Sequence, residues 1–252
     1  MASNAKKKDG SGIGPLIRAD GRMPDECREV KAQIGYIQTT PGSCLFEMGN
    51  TRVLCTVSAE DSVPPHKRGS GEGWVTAEYS MLPGSGTSRV PRSRSRSGRA
   101  QEIQRLIGRS MRAIVDLELL GERTLYVDCD VLQADGGTRC ASVTGGFIAL
   151  SLAVDSLMKT GGLEKNPLIG SIAAVSVGII GTTPILDLDY GEDVEAEVDM
   201  NVVMTGKGRF VEIQGTAEGE PFKKSEMNKL IQLAEKGIDQ LSELQGRFLG
   251  GA

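Results

Sequence analysis

The sequence is expected to fold as an α/β (α+β) chain laid out in two blocks, each a set of strands followed by helix. Three observations carry that expectation. Short runs rich in β-branched and aromatic residues, separated by Pro-Gly and Gly-Asn turns, fill Val30 to Met81, and similar runs recur from Ile169 to Gln214. Apolar residues spaced i, i+3, i+4 mark helices near Ala100–Leu117, Cys140–Met158 and Ser225–Phe248. At 252 residues the chain is long enough to bury a substantial core, in one large domain or two small ones.

Taken in order, Met1 to Leu16 is polar, Lys- and Gly-rich and aperiodic, so a mobile arm reaching about residue 17 is expected. Val30–Thr39, Ser43–Met48 and Arg52–Ser58 read as strands in hairpins, joined at Pro41-Gly42 and Gly49-Asn50. Asp61–Gly73 is loop, Trp74–Met81 returns to strand, and Leu82–Gly98 is a Ser, Arg, Gly and Pro stretch with too little apolar area to set its own fold. The helix after it turns an apolar face one way and Arg105, Arg109 and Arg112 the other, as solvated surface or as a subunit contact. Leu119–Thr124 turns the chain into a Leu125–Leu132 strand. The helix from Cys140 is rich in Ala, Ser and Gly, which permits close approach to a sheet and a central position. Ile169–Ile180, Ile185–Leu188, Glu195–Met204 and Arg209–Gln214 alternate as strands of an antiparallel sheet do, and Ser225 is placed to cap the last helix.

Composition narrows the chemistry. Five cysteines, odd in number and without a CxxC pair, argue for reduced, buried thiols and against a disulfide frame or zinc site. A single histidine, His66, excludes multi-histidine metal centres and lies in a Pro/Lys/Arg/Gly loop ill suited to a Ser/His/Asp triad. The N-terminal lysines are followed by no apolar stretch, and no uninterrupted apolar run approaches the ~20 residues of a membrane span, so a soluble cytoplasmic protein is expected. The net charge of −4 hides two poles. Between Tyr79 and Gln101 stand five arginines (Arg89, Arg92, Arg94, Arg96, Arg99) and no acid; between Thr182 and Gly206 stand seven acids and no base.

Three motifs could carry function. QADGGTR, Gln133–Arg139, runs from strand through a glycine turn into a helix, where unpaired first-turn amides and the positive end of the helix favour an anion. Alone it fits equally a helix capped by Asp135 or Thr138 with Arg139 in solvent. The arginine loop invites a polyanion or is solvated surface. In LDLDYGEDVEAEVDMN, Asp193 stands in a turn and Asp199 in the following strand, a carboxylate pair suited to Mg²⁺ or a polar hairpin face. Glu195, Glu197 and Asp199 share a strand face by period two, and Asp128 and Asp130 form a weaker second pair. Together the motifs describe phosphoryl chemistry on a polyanion, which needs positioning and charge neutralisation more than a nucleophilic side chain. No GxxxxGK[ST] sequence is present.

RADGR (Arg18–Arg22), GWVTAEYSMLP (Gly73–Pro83), GRAQEIQRLIGRSMRA (Gly98–Ala113), LGERTLYVDCDVLQADGGTR (Leu120–Arg139) and LDLDYGEDVEAEVDMNVVMTGKGRFVEIQGTAEGEPF (Leu186–Phe222) resemble the bacterial ribonuclease PH family over about Arg18–Leu249. The resemblance implies a ribosomal protein S5 domain 2-like fold of two βαβα-like halves, about 18–160 and 161–252, in one domain. It implies a hexameric ring, a trimer of dimers, and phosphorolysis of RNA 3′ ends, tRNA precursors among them, with inorganic phosphate as attacking group and nucleoside diphosphates as products. It implies phosphate binding by Arg99, Gly137, Thr138 and Arg139, catalysis and Mg²⁺ binding by Asp193 and Asp199, and tRNA contact by Arg89 and Arg92. The chain departs from the family at Gly84, where an arginine is usual, at Cys140, where threonine is common, and in a shorter serine-arginine loop. A catalytically silent RNA-binding ring subunit and a hydrolytic exonuclease are the alternatives.

Overall fold

The computed structural model describes residues 17–93 and 97–250; the arm expected before Arg18 lies outside the described residues except for Ile17, as do Arg94 and Arg96. The first half begins with an antiparallel meander of β1 (Val30–Ile34), β2 (Gly42–Met48) and β3 (Thr51–Glu60). Next come β4 (Trp74–Met81), α1 (Gly98–Arg112), a short α2 (Leu117–Leu120) and β5 (Thr124–Gln133). β5 inserts between β3 and β4, antiparallel to the former and parallel to the latter, so the sheet order is β1-β2-β3-β5-β4. α1 is the crossover that a parallel β4/β5 pair requires.

After α3 (Thr138–Lys159), the second half runs β6 (Ile172–Ile180), β7 (Thr183–Leu186), α4 (Tyr190–Glu195), β8 (Val198–Thr205), β9 (Phe210–Ala217) and α5 (Lys224–Gly250). Its sheet, β7-β6-β8-β9, is antiparallel throughout, as the alternation predicts.

α3 packs on β2 and β3 of one sheet and β6 of the other. Its small residues explain why it can: a side chain at Gly42 of β2 would sit 2.1 Å from the Ala149 carbonyl, and one at Gly145 would sit 2.6 Å from Phe46 Cβ. By length and hydropathy α3 could cross a membrane, which contiguous apolar runs alone do not reveal; here 78% of its most apolar stretch is buried within the protein. Gln245 of α5 donates from Nε2 to the Thr144 and Ile172 carbonyls (3.0 and 2.9 Å), tying α5 to α3 and β6. Most buried apolar residues of both halves form one continuous cluster, beside a small second one of Ile185, Leu188 and Ala196.

Several expectations change. The last helix begins at Lys224, so Ser225 lies within its first turn and does not cap it, and the strand expected over Val30–Thr39 ends at Ile34. The helix predicted to Leu117 ends at Arg112; Ile114 and Val115 are buried beyond it, and Val115 bridges to Leu168, so the apolar period outlasts the helix. Asp116 caps α2 where a turn is expected, its carboxylate accepting from the Glu118 and Leu119 amides. The acidic segment is helical over Tyr190–Glu195, because Asp189 and Glu192 form a capping box, so Glu195, Glu197 and Asp199 do not share a strand face.

Candidate active site

The loop between β5 and α3 turns on Gly136 and Gly137, both left-handed (φ 72° and 64°). Gly137 is the N-cap of α3 and supplies no side-chain bond to the first-turn amides. Neither Asp135 nor Thr138 caps the helix, because both side chains are engaged elsewhere: the Asp135 carboxylate accepts from Asn50 Nδ2 (3.1 Å) and the Tyr190 amide (3.4 Å), and the Thr138 hydroxyl bonds that of Tyr79 (2.9 Å). Arg139 is not free in solvent either. Its side chain is 16% exposed, and Nη1 donates to Gln214 of β9 and to Glu102 of α1 (3.4 Å), while Gln214 Nε2 donates to Glu102 (2.7 Å).

Of these, Tyr79, Gly136, Gly137, Thr138, Arg139 and Tyr190 line a cleft of about 970 Å³ between the two halves. Arg99, Gly137, Thr138, Arg139, Asp193 and Asp199 all border it, from four separated segments of the chain. Arg99 is the second residue of α1, Asp193 lies on α4, and Asp199 lies on β8 between Gly178 of β6 and Thr216 of β9. Arg89 and Arg92 do not line it. They are exposed on the loop whose residues Gly86, Thr87, Ser88 and Val90 form its rim.

The electrostatics couple the two walls. The Asp193 carboxyl is pushed above its ordinary range, first by burial and then by the charge of Asp199, with Arg99 and Arg139 acting the opposite way. Two carboxylates near enough to repel suit a dication, and Mg²⁺ takes one or two carboxylates while keeping several waters. Among the described residues no group of three or more His, Cys, Asp or Glu stands together as a closed cage for a metal ion. Asp128 and Asp130 lie on the face of β5 away from the core, Asp130 accepting from the Ser80 hydroxyl (2.5 Å).

Several residues escape the sequence reading. Tyr79, Glu102, Gln214 and Glu218 reach the cleft or its arginine, and Asn201 accepts from the Cys140 thiol (3.3 Å). RADGR proves structural: Arg18 forms a bidentate pair with Glu192 (2.6 Å to each oxygen), which anchors the helix carrying Asp193. The Asp-x-x-Glu spacing of Asp189 and Glu192 was a usable signal for that helix. Two arginines of the α1 stripe are used within the chain: Arg109 pairs with Glu212 (2.6 Å), and the Arg112 guanidinium lies 4.3 Å from the Trp74 ring centre, while Arg105 is exposed.

The model of the 3′ exoribonuclease family, domain 1, matches residues 26–154, and that of domain 2 matches 170–237. The chain is 53% identical over 234 residues to a ribonuclease PH of Neisseria meningitidis, covering 92% of this chain and 97% of that one. It is 54% identical over 238 residues to the ribonuclease PH of Bacillus subtilis, covering 93% and 97%. Among solved structures, rice (Oryza sativa) Rrp46 superposes with a TM-score of 0.75 at 17% identity, covering 92% of this chain and 100% of that one. An Archaeoglobus fulgidus exosome subunit, from a structure with RNA bound to the active site, does so with 0.77 at 20% identity, covering 90% and 91%. These two likenesses concern the fold alone, and this chain's is S5 domain 2-like. The chain belongs to the 3′ exoribonuclease family and, within it, to the ribonuclease PH group of phosphorolytic 3′ exoribonucleases.

Proposed function

We propose that the cleft performs phosphorolysis with inorganic phosphate held by Arg99, Arg139 and the amides at Gly137 and Thr138, and that Asp193 and Asp199 hold Mg²⁺ opposite it. The observation that carries this reading is the meeting of all six residues on one cleft. A phosphate oxygen attacks the last phosphorus of the RNA, the bond from that phosphorus to the 3′ oxygen breaks, and a nucleoside diphosphate leaves. Hydrogen phosphate gives up the proton that the departing 3′ oxygen gains, so no strong base is required. Arg99 and Arg139 fix the attacking group in line. Bound Mg²⁺ supplies neutralisation of charge developing at the scissile phosphoryl.

Arg89 and Arg92, at the rim, grip the incoming RNA in this reading, with tRNA precursors as substrates. The chain works as a single domain of two halves, residues 18–252, in a cytoplasmic homo-oligomeric ring, a hexamer built as a trimer of dimers. Support comes from the 53% identity to ribonuclease PH of Neisseria meningitidis and from the likeness to subunits of an archaeal exosome core.

The test is to incubate a tRNA precursor with and without phosphate, and with and without a chelator, for the parent chain and the Arg139→Ala and Asp199→Asn variants. Diphosphates formed only with phosphate and Mg²⁺, a phosphate KM raised ~100-fold in Arg139→Ala, and loss of both trimming and nucleotide addition in Asp199→Asn are expected. Normal trimming by Asp199→Asn overturns the metal assignment; monophosphate products overturn the phosphate assignment.

A further inference from the structure

The phosphate cradle rests on a loop that two glycines make pliable, and its rigidity comes from elsewhere in the chain. Behind the loop lies Arg28, 6% exposed, from the segment before β1. Its Nη1 donates to the Asp135 carbonyl, and a Cβ placed on Gly137 would lie 3.0 Å from its Nη2. The same guanidinium clasps Asp187, Nε to Oδ2 at 2.9 Å and Nη2 to Oδ1 at 2.6 Å, while the Arg28 amide donates to Oδ2 at 2.8 Å.

Asp187 is itself unusual. It is 1% exposed and, among the described residues, the one non-glycine with a left-handed backbone (φ 54°). Such a conformation persists where its surroundings over-determine it, and those surroundings are specific. Its carbonyl accepts from Arg18 Nη2 (2.8 Å) and Arg22 Nη1 (2.9 Å), and its amide donates to the Ser176 carbonyl (2.7 Å). A residue in this backbone state can offer its carbonyl to Arg18 and Arg22 and its carboxylate to Arg28, with Arg22 Nη1 a longer second partner of Oδ2 (3.4 Å). Neither Arg28 nor Asp187 lines the cleft.

We propose that Arg28 and Asp187 are positioning residues of the phosphate site: the pair holds the Ala134–Gly137 loop so that the first-turn amides of α3 and the Arg139 guanidinium face inorganic phosphate. The proposal rests on the reading that phosphate binds at Gly137, Thr138 and Arg139. It links three remote parts of the sequence, residue 28, the glycine loop and residue 187, into one support.

The test compares Arg28→Lys, Asp187→Asn and the uncharged double variant Arg28→Gln/Asp187→Asn with the parent chain. The double variant leaves no lone buried charge and preserves folding if either single change does not. Each is assayed for KM of phosphate, KM of RNA, kcat, KM of nucleoside diphosphate in the reverse direction, and the rise in melting temperature that added orthophosphate produces. The expected result is a phosphate KM raised about tenfold or more, a parallel rise for the diphosphate, an unchanged RNA KM and reduced protection by orthophosphate. A purely structural role predicts a lower melting temperature and a smaller active fraction at unchanged phosphate KM, and that result overturns the proposal. Arg139→Ala is the control. If it leaves the phosphate KM unchanged, the phosphate assignment itself fails; if it raises KM while all three support variants do not, only the positioning role fails.

Discussion

The Tyr79 hydroxyl lies 2.9 Å from Thr138 Oγ1, joining the end of β4 to the first residue of α3 on the wall of the cleft. Burial holds the Tyr79 phenol above its ordinary 10.0, against the opposing effects of Thr138, Arg99 and Arg139, so it remains protonated at neutral pH. It thus fixes the Thr138 hydroxyl without adding charge. Tyr79→Phe deletes one hydrogen bond of about 1 kcal/mol, and steady-state kinetics are expected to show a phosphate KM raised ~5-fold with RNA KM unchanged.

Gly136 admits no side chain. Its φ is 72°, and a Cβ there would sit 2.6 Å from the Leu188 carbonyl oxygen and 2.8 Å from the Tyr190 amide, both backbone atoms that have no rotamer in which to retreat. Gly136→Ala is expected to destabilise the chain by about 2–4 kcal/mol in urea denaturation, combining backbone strain with overpacking. Activity should fall further than stability at temperatures where the variant is folded, because the clash lies between the proposed phosphate loop and the helix carrying Asp193.

Arg89 and Arg92 stand outside the cleft, so their removal should touch RNA and spare phosphate. The double variant Arg89→Ala/Arg92→Ala is expected to raise the KM for tRNA and to lower the slope of log affinity against log salt by about one for each RNA phosphate that an arginine no longer neutralises. Phosphate KM at saturating RNA should be unchanged. A salt titration of tRNA binding that superposes on the parent's removes both residues from the RNA path.

Thiol reactivity supplies a pH test independent of the site chemistry. Burial pushes the thiols of Cys27, Cys44 and Cys140 from the ordinary 9.0 up to about 12. At pH 8 the thiolate fraction of each is therefore about a thousandfold below that of a free thiol, and alkylation should slow in proportion, rising about tenfold per pH unit between pH 7 and 9. Mass spectrometry of iodoacetamide adducts, native against urea-unfolded, checks this; rapid native labelling of Cys27, the partly exposed one, contradicts it.

Local chemistry explains how much was legible in advance. Trp74–Met81 is read from sequence with the bounds it has in the fold, because turn residues fence a short β-branched and aromatic run on both sides. α4 is misread because its capping pair sits inside an acid-rich segment whose alternation imitates a strand. α1 is overextended because Ile114 and Val115, buried for reasons of packing beyond the helix, continue its period.

The sequence by itself determined the order of the strands and of the three long helices, the glycine turn before α3, the poles of charge and the residue types from which a phosphate and metal site could be made. Those follow from periodicity and side-chain chemistry, which act over a few neighbouring residues. The tertiary structure alone decided that β5 inserts between β3 and β4, that Arg99, Arg139, Asp193 and Asp199 share a cleft, and that Arg28 reaches both the glycine loop and Asp187. Pairings of that kind join residues from 40 to 159 positions apart, and no local pattern encodes them: they arise when α3 is enclosed by both sheets and the two halves close on it.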